Sequence, residues 1–435
     1  MHIVVEPSAL NNGRVIVPGD KSISHRALML GAVADGETQI SGFLRGEDCL
    51  ATLRALRALG VSIDETGEGF VRVTGVGLDG LTRPAGALDL GNSGTAMRLF
   101  AGLLAGQSFS TELVGDPSLT RRPMDRVIKP LTMMGAKIES GDGRPPLKIH
   151  GGQRLGGLVY RLPVASAQVK SAILLAGLYA GGEVAVIEPA VTRDHTERML
   201  RAMGVSLNQG ETQVMMAPGQ RLRATEIEVP GDLSSAAFII LAATIAADVE
   251  VTIADVGVNQ TRTGVIDILK DMGASIAIEN VRLFGEEPVA DLVVRSAPLR
   301  GIDVDRDKVS LAIDEFPVLF IAAACADGKT RFSGIGELRV KESDRISAMA
   351  EGLRALSVPV DESDDGAVVH GGRLYGGTVE SRGDHRVAMA FAVAGTVAKW
   401  AVRIEDTSNV DTSFPGFADC LQAMGVKITQ STEPA

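Results

Sequence analysis

Seven short stretches of this sequence carry side chains able to bind anions or move protons. The first, Val17-Pro18-Gly19-Asp20-Lys21-Ser22-Ile23-Ser24-His25-Arg26, passes through a glycine turn into an apolar run, Ala27 to Ala34. Backbone amides at a helix start attract anions. Lys21 adds a point charge, Ser22 a hydroxyl, and Arg26 returns to the same face one turn on. This reads as a phosphate cradle without the G-x-x-x-x-G-K-[S/T] spacing of nucleotide-binding loops, and equally as a Ser22 cap beside two solvated bases. Leu90-Gly91-Asn92-Ser93-Gly94-Thr95-Ala96-Met97-Arg98 repeats the design. Gly94 leaves room for a ligand at the backbone, although an Asn or Ser cap is the simpler account. Ser118-Leu119-Thr120-Arg121-Arg122-Pro123-Met124 sets two guanidinium groups before a proline. Arginine holds carboxylate or phosphate through two parallel hydrogen bonds, but paired loop arginines are often only solvated. Ala165-Ser166-Ala167-Gln168-Val169-Lys170-Ser171 offers hydroxyl and amide groups suited to a polyol, or a helix cap.

Acids join the bases in the second half. Ile313-Asp314-Glu315-Phe316-Pro317 abuts the apolar run Val318 to Ala324. Asp314 there either caps a helix or is a desolvated carboxylate poised as a base. Arg339, Lys341, Glu342, Asp344 and Arg345 crowd one short segment, and Gly383-Asp384-His385-Arg386-Val387 opens another apolar helix. A charge run is usually a solvated face. Here the bases recur at helix starts in both halves. Lys21, Arg26 and Arg122 from one half and Lys341, Arg345 and Arg386 from the other are expected to gather around a pair of anionic ligands.

The elements that must hold these residues repeat. The phrase L-x-x-[L/M]-[G/S]-[A/V]-x-[I/V/L] occurs six times, at Leu56 to Ile63, Leu131 to Ile138, Leu200 to Leu207, Leu269 to Ile276, Leu353 to Val360 and Leu421 to Ile428. The copies lie about 70 residues apart, the mark of a repeated structural unit. Leucine and methionine three apart share a helix face. The following glycine, or Ser357 in the fifth copy, can end the helix in the left-handed conformation, and alternating apolar residues then read as a strand. A second repeat pairs Val17-Pro18-Gly19-Asp20 with Val229-Pro230-Gly231-Asp232, with three helix–Gly–strand units between them and three after. The sequence therefore predicts two lobes, residues 21–228 and residues 1–20 plus 229–435, joined by two adjacent crossings. A cleft between lobes is the expected ligand site.

Composition excludes other classes. Formal net charge is −11, which argues against nonspecific nucleic-acid or anionic-membrane binding. No apolar run reaches the ~18 residues of a bilayer span, and no secretory signal is visible. Three isolated cysteines fit neither a disulfide framework nor a zinc site, and the six histidines lack paired metal-ligand spacing. A cytoplasmic, metal-free protein is expected.

GDKSISHRA, GNSGTAMR, RRPM, ASAQVKSA, DEFP, RVKESDR and GDHRVAM, in this order and across essentially the whole chain, resemble the EPSP synthase family of enolpyruvyl transferases. The resemblance implies an α/β (α+β) fold of two similar lobes, each of three βαβαββ units forming an inside-out α/β barrel. It implies transfer of the enolpyruvyl group of phosphoenolpyruvate to the 5-hydroxyl of shikimate 3-phosphate, by addition and elimination, with no cofactor. By motif, Asp314 matches the base for that hydroxyl, and Glu342 and Lys21 match the groups that deliver a proton. Lys21, Ser22, Arg26, Ser166, Ala167, Gln168, Asp314 and Lys341 match contacts to shikimate 3-phosphate. Lys21, Gly94, Arg122, Gln168, Arg345 and Arg386 match contacts to phosphoenolpyruvate. A monomer acting on these two small molecules is implied, with glyphosate as an inhibitor at the phosphoenolpyruvate site.

Some positions depart from part of the family. Ala167 stands where many members have a serine, Lys170 where others lack a base, and Leu99 where many glyphosate-sensitive members have proline. Asn409-Val410-Asp411-Thr412 lacks a lysine that many members carry just before this turn. The UDP-N-acetylglucosamine enolpyruvyl transferase of cell-wall synthesis is the nearest alternative enzyme. Its loop cysteine is missing from Gly115-Asp116-Pro117-Ser118-Leu119-Thr120-Arg121-Arg122-Pro123. RNA 3′-phosphate cyclases share related units, but the acidic balance speaks against RNA. A non-catalytic anion-binding scaffold is the alternative from another class, and the presence of both Asp314 and Glu342 argues against it.

Overall fold

In all six repeated phrases the local chemistry acts as the pattern predicts. In the computed structural model, which describes residues 1–432, helices Glu47–Ala58, Asp125–Met133, His195–Ala202, Gly264–Asp271, Arg345–Ala355 and Phe417–Ala423 each end at one copy. Gly60, Gly135, Gly204, Gly273, Ser357 and Gly425 all have positive φ, between 67° and 107°. The amide after each of them reaches back to the phrase's first leucine, as Val61 N to Leu56 O (3.1 Å) and Val358 N to Leu353 O (2.9 Å). This is the Schellman closure, which satisfies carbonyls the helix end would leave bare. A strand follows each closure.

Residue contacts divide the chain into two compact units. One is Gly19–Val229 with the short segment Phe284–Glu287; the other joins Met1–Pro18, Pro230–Leu283 and the chain from Pro288 onward. Among the described residues, each unit holds three sheets. In the first unit every sheet has the same plan: a parallel pair, then an antiparallel hairpin. Leu158–Arg161 pairs parallel with Val184–Ile187, which runs antiparallel to Gln213–Met216 and on to Leu207–Gln209. Asp35–Ser41 is likewise flanked by Glu226–Glu228 and Phe70–Val76. In the second unit, strand His2–Glu6 lies between Val402–Glu405 and Lys427–Ser431, antiparallel to both. Its third sheet has three strands, with single parallel bridges, such as Asp303 to Arg331, where a fourth would lie.

Three helices form the centre of each unit: Lys21–Ala32, Gly94–Ala105 and Ala167–Gly177 in one, Leu233–Ile245, Phe316–Cys325 and His385–Val397 in the other. They are apolar nearly all round, as a helix must be when neighbours cover it on every side. Leu233–Ile245 is buried from Leu233 through Thr244. Each fully buried Leu or Ile contributes roughly 1.5–3 kcal/mol, so the cores built on these helices hold the units together. Their polar residues are concentrated at the first turn, where the candidate site residues stand. Among the described residues, no helix is long and apolar enough to cross a membrane.

Candidate active site

In the Gly19–Val229 unit the three central helices begin with oxygen caps. Asp20 accepts from Ile23 N, Ser93 from Ala96 N, and Ser166 from Val169 N. Ser22 is therefore inside its helix and not a cap. Lys21, in the first turn, forms an ion pair with Asp48. Arg26 is almost wholly buried. Its Nε donates to Thr196 Oγ1 (2.7 Å), Nη1 to Ser22 O (2.8 Å) and Nη2 to Ser171 Oγ (2.7 Å). Burial draws its pKa down to about 10, against the pull of Glu197 and Asp20, so it stays a cation at neutral pH. Its neighbour His25 is held well below its usual value, by burial first and by Lys21 and Arg26 beside it.

Gln168 and the Gly94 turn meet through Arg98. Arg98 Nη1 donates to Gln168 Oε1 (2.7 Å), and Gln168 Nε2 donates to Thr95 Oγ1 (2.9 Å). The two loop arginines divide: Arg121 is exposed, while Arg122 is buried and donates through Nη2 to Asn92. A methyl group on Gly94 would sit 2.9 Å from Arg98 Nη1 and 3.0 Å from Arg122 Nη1. Ala167 opens its helix directly after the Ser166 cap. Lys170 is buried between Glu188 (2.7 Å) and Glu197 (2.8 Å). Burial pulls its ammonium down, but the two carboxylates outweigh that and hold it above its usual value. It braces the helix and is not an open anion ligand. Leu99 is buried in the same unit.

In the other unit, Asp314 sits in the turn before Phe316–Cys325. The capping position itself is taken by Glu315, whose side chain makes no cap bond. Lys341 Nζ lies 3.2 Å from Asp314 Oδ1 and Arg345 Nη1 lies 3.7 Å from it. Arg386 Nη1 donates to the Asp314 carbonyl (2.9 Å). Arg345 is the buried hub. Its Nε donates to Asp384 Oδ2 (2.8 Å) and its Nη2 to Glu342 Oε2 (2.6 Å). Burial alone would depress its pKa; Asp384, Glu342 and Asp314 outweigh it and hold the guanidinium above its ordinary value. Arg345 in turn keeps Asp384 below the usual carboxylate range against burial. Lys341, Asp314, Glu342 and Arg386 keep part of their surface, 24%, 16%, 24% and 12% of the side chain. Two accessible carboxylates and two accessible cations thus stand over a buried ion pair, a set that can bind an anion and accept or deliver a proton.

The charge run 339–345 splits in two. Arg339 pairs with Asp344 (2.6 Å) and Glu362 (3.1 Å) away from Asp314, while Lys341 and Arg345 turn toward it. Thr412 spends its hydroxyl on the Asn409 carbonyl (2.6 Å) of its own turn. Sequence reading singled out neither Asp384 nor Glu315. Asp384 carried a signal, an acid just before an apolar helix. Glu315 stood beside Asp314 with nothing to mark its partners, which come from other helices. The Glu188–Lys170–Glu197 cluster was signalled only by a lysine in an otherwise apolar helix.

The comparisons with known proteins agree with one another. The model of the EPSP synthase (3-phosphoshikimate 1-carboxyvinyltransferase) family matches residues 5–431. A 3-phosphoshikimate 1-carboxyvinyltransferase of Alkalilimnicola ehrlichii is 59% identical over 99% of this chain and 97% of its own. One of Nitrosococcus oceani is 55% identical over 98% and 97%. A solved structure of EPSP synthase from Acinetobacter baumannii matches with a TM-score of 0.88 at 49% identity, covering 99% of this chain and all of that one. With a family match over nearly its whole length and relatives this similar, the chain belongs to the EPSP synthase, or 3-phosphoshikimate 1-carboxyvinyltransferase, family.

Proposed function

We propose that this enzyme transfers the enolpyruvyl group of phosphoenolpyruvate to the 5-hydroxyl of shikimate 3-phosphate, its motif residues dividing between proton transfer and anion binding. The single observation that carries the role assignment is the cluster around Asp314. That carboxylate faces Lys341 and Arg345, and Glu342 shares the same guanidinium. Asp314 takes the proton of the 5-hydroxyl as its oxygen attacks C2 of phosphoenolpyruvate. Glu342 and Lys21 deliver a proton to the methylene carbon, giving a tetrahedral ketal. Loss of a methyl proton and of phosphate then restores the double bond. Ser22, Arg26, Ser166, Ala167, Gln168 and Lys341, with Lys21 and Asp314, contact shikimate 3-phosphate. Gly94, Arg122, Gln168, Arg345 and Arg386, with Lys21, contact phosphoenolpyruvate. Two multiply charged anions repel each other, so a dense set of cations is required to hold both at once.

Arg26 enters this scheme as a half-committed ligand. It has five N–H donors, and three of its bonds go to the protein. The proposal also has the chain acting as a monomer in the cytoplasm, testable by sedimentation and by cell fractionation. The decisive test of the reaction is phosphate release from phosphoenolpyruvate, assayed with shikimate 3-phosphate and, separately, with UDP-N-acetylglucosamine. Release with the first alone is expected; release with the second alone would sink the proposal.

A further inference from the structure

The side chain of Glu315 has no place in the scheme above, yet it is 1% exposed and sits where three central helices begin. Its Oε1 accepts from Ser234 Oγ, in the first turn of Leu233–Ile245, and from Arg386 Nη1 (3.3 Å), in the first turn of His385–Val397. Glu315 itself immediately precedes Phe316–Cys325. Arg262 Nη2, 3.8 Å away, approaches the same oxygen and also donates to Ser234 Oγ (2.6 Å). The three helices pack on one another, and each presents its positive end to this spot. A carboxylate is therefore electrostatically at home here, which explains how an acid tolerates such burial.

One contact gives Glu315 a consequence beyond packing. Arg386 Nη1 is shared between the Glu315 carboxylate and the carbonyl of Asp314. The Asp314–Glu315 dipeptide thus seats the arginine on one side and presents the Asp314 carboxylate to Lys341 on the other. A long arginine side chain loses considerable rotamer freedom when it holds an anion, and a part-buried, charge-assisted contact on Nη1, beside the 2.9 Å bond to the Asp314 carbonyl, removes part of that freedom beforehand.

We infer that Glu315 is a positioning residue for phosphoenolpyruvate, fixing Arg386 before the substrate arrives. The inference rests on the assignment of Arg386 to phosphoenolpyruvate made above. Glu315→Gln keeps an acceptor at Oε1 and removes the charge, so the fold is retained while the anchor weakens. The expected result is a roughly three- to tenfold higher KM for phosphoenolpyruvate, with kcat and the KM for shikimate 3-phosphate nearly unchanged. Ser234→Ala, which removes one donor from the same oxygen, loosens the seat less and shifts the same KM in the same direction by a smaller factor. In combination with Arg386→Lys, Glu315→Gln adds little, because both act through one guanidinium.

The outcomes separate cleanly. If Arg386→Lys raises the phosphoenolpyruvate KM and neither Glu315→Gln nor Ser234→Ala does, the inference fails and the assignment of Arg386 stands. If Arg386→Lys leaves that KM unchanged, the assignment fails and the inference falls with it. A lower melting temperature with unaltered kinetics makes Glu315 a structural tie only. Effects of Glu315→Gln and Arg386→Lys that simply multiply also overturn the inference.

Discussion

A methyl group at position 94 would push on guanidinium groups and not on backbone, because the nearest atoms belong to Arg98 and Arg122. Those ends are flexible, so Gly94→Ala is expected to fold normally and to displace the arginines. The phosphoenolpyruvate KM should rise several-fold with little change for shikimate 3-phosphate, and inhibition by the longer glyphosate should weaken further still. Inhibition constants at fixed shikimate 3-phosphate measure both; equal losses for substrate and inhibitor would show that crowding by the inhibitor's extra length plays no part. Asp314→Asn keeps the shape of the side chain and removes the proton acceptor. Turnover is expected to fall about 10²–10⁴-fold with substrate binding retained. Near-normal turnover in the folded variant would leave Asp314 as an anchor for Lys341. Lys170→Met tests a different kind of residue. It would strand Glu188 and Glu197 without their shared cation, at a cost of about 3–5 kcal/mol. Urea denaturation reads that loss, and an unchanged midpoint would mean the two carboxylates find other partners.

At the scale of elements, the helix–glycine–strand junction was fully legible in the sequence because it is local. The left-handed residue, the backward hydrogen bonds that close the helix and the first residue of the next strand all lie within one eight-residue phrase. Gly204 and Ser357 occupy equivalent junctions and should respond in opposite directions. Space around a Cβ at Gly204 is open, so Gly204→Ala carries only the backbone cost of positive φ, about 1 kcal/mol. Ser357 already bears that cost at φ 67°. Ser357→Gly should therefore gain a few tenths to 1 kcal/mol after the added chain entropy is counted. Thermal melts of both variants against the parent check the pair, and a stabilised Gly204→Ala would contradict the argument. The helix starts were less legible. Composition marked where bases gather, but which residue stands at each helix start depended on differences of one or two positions: Asp20 and not Ser22 caps the Lys21 helix, and Glu315, without a side-chain cap bond, holds the cap position before the Phe316 helix. Partners such as Glu315 with Ser234, or Arg345 with Asp384, lie 81 and 39 residues apart, and no spacing rule reaches that far.

At the scale of the whole molecule, the two units differ in how the chain supplies them. Apart from Phe284–Glu287, the first unit is one continuous stretch, Gly19–Val229. The second begins with the first residues of the chain and is finished by the last described ones. Strand His2–Glu6 is inner in its sheet, bonded on one side to Val402–Glu405 and on the other to Lys427–Ser431. During synthesis this strand is made nearly 400 residues before either of its neighbours. At about 5–20 residues per second it waits for roughly 20–80 s with both edges bare, an opening for pairing with other chains. Meanwhile, Gly19–Val229 has nearly everything it needs. Ribosome-bound chains stalled once residue 229 is clear should therefore yield a protease-resistant core that begins near Gly19, with His2–Glu6 cut away. Cleavage throughout that core would mean the later segments are needed for it to fold. An early-made strand is thus committed late, and its fate depends on strands that follow it by nearly 400 residues.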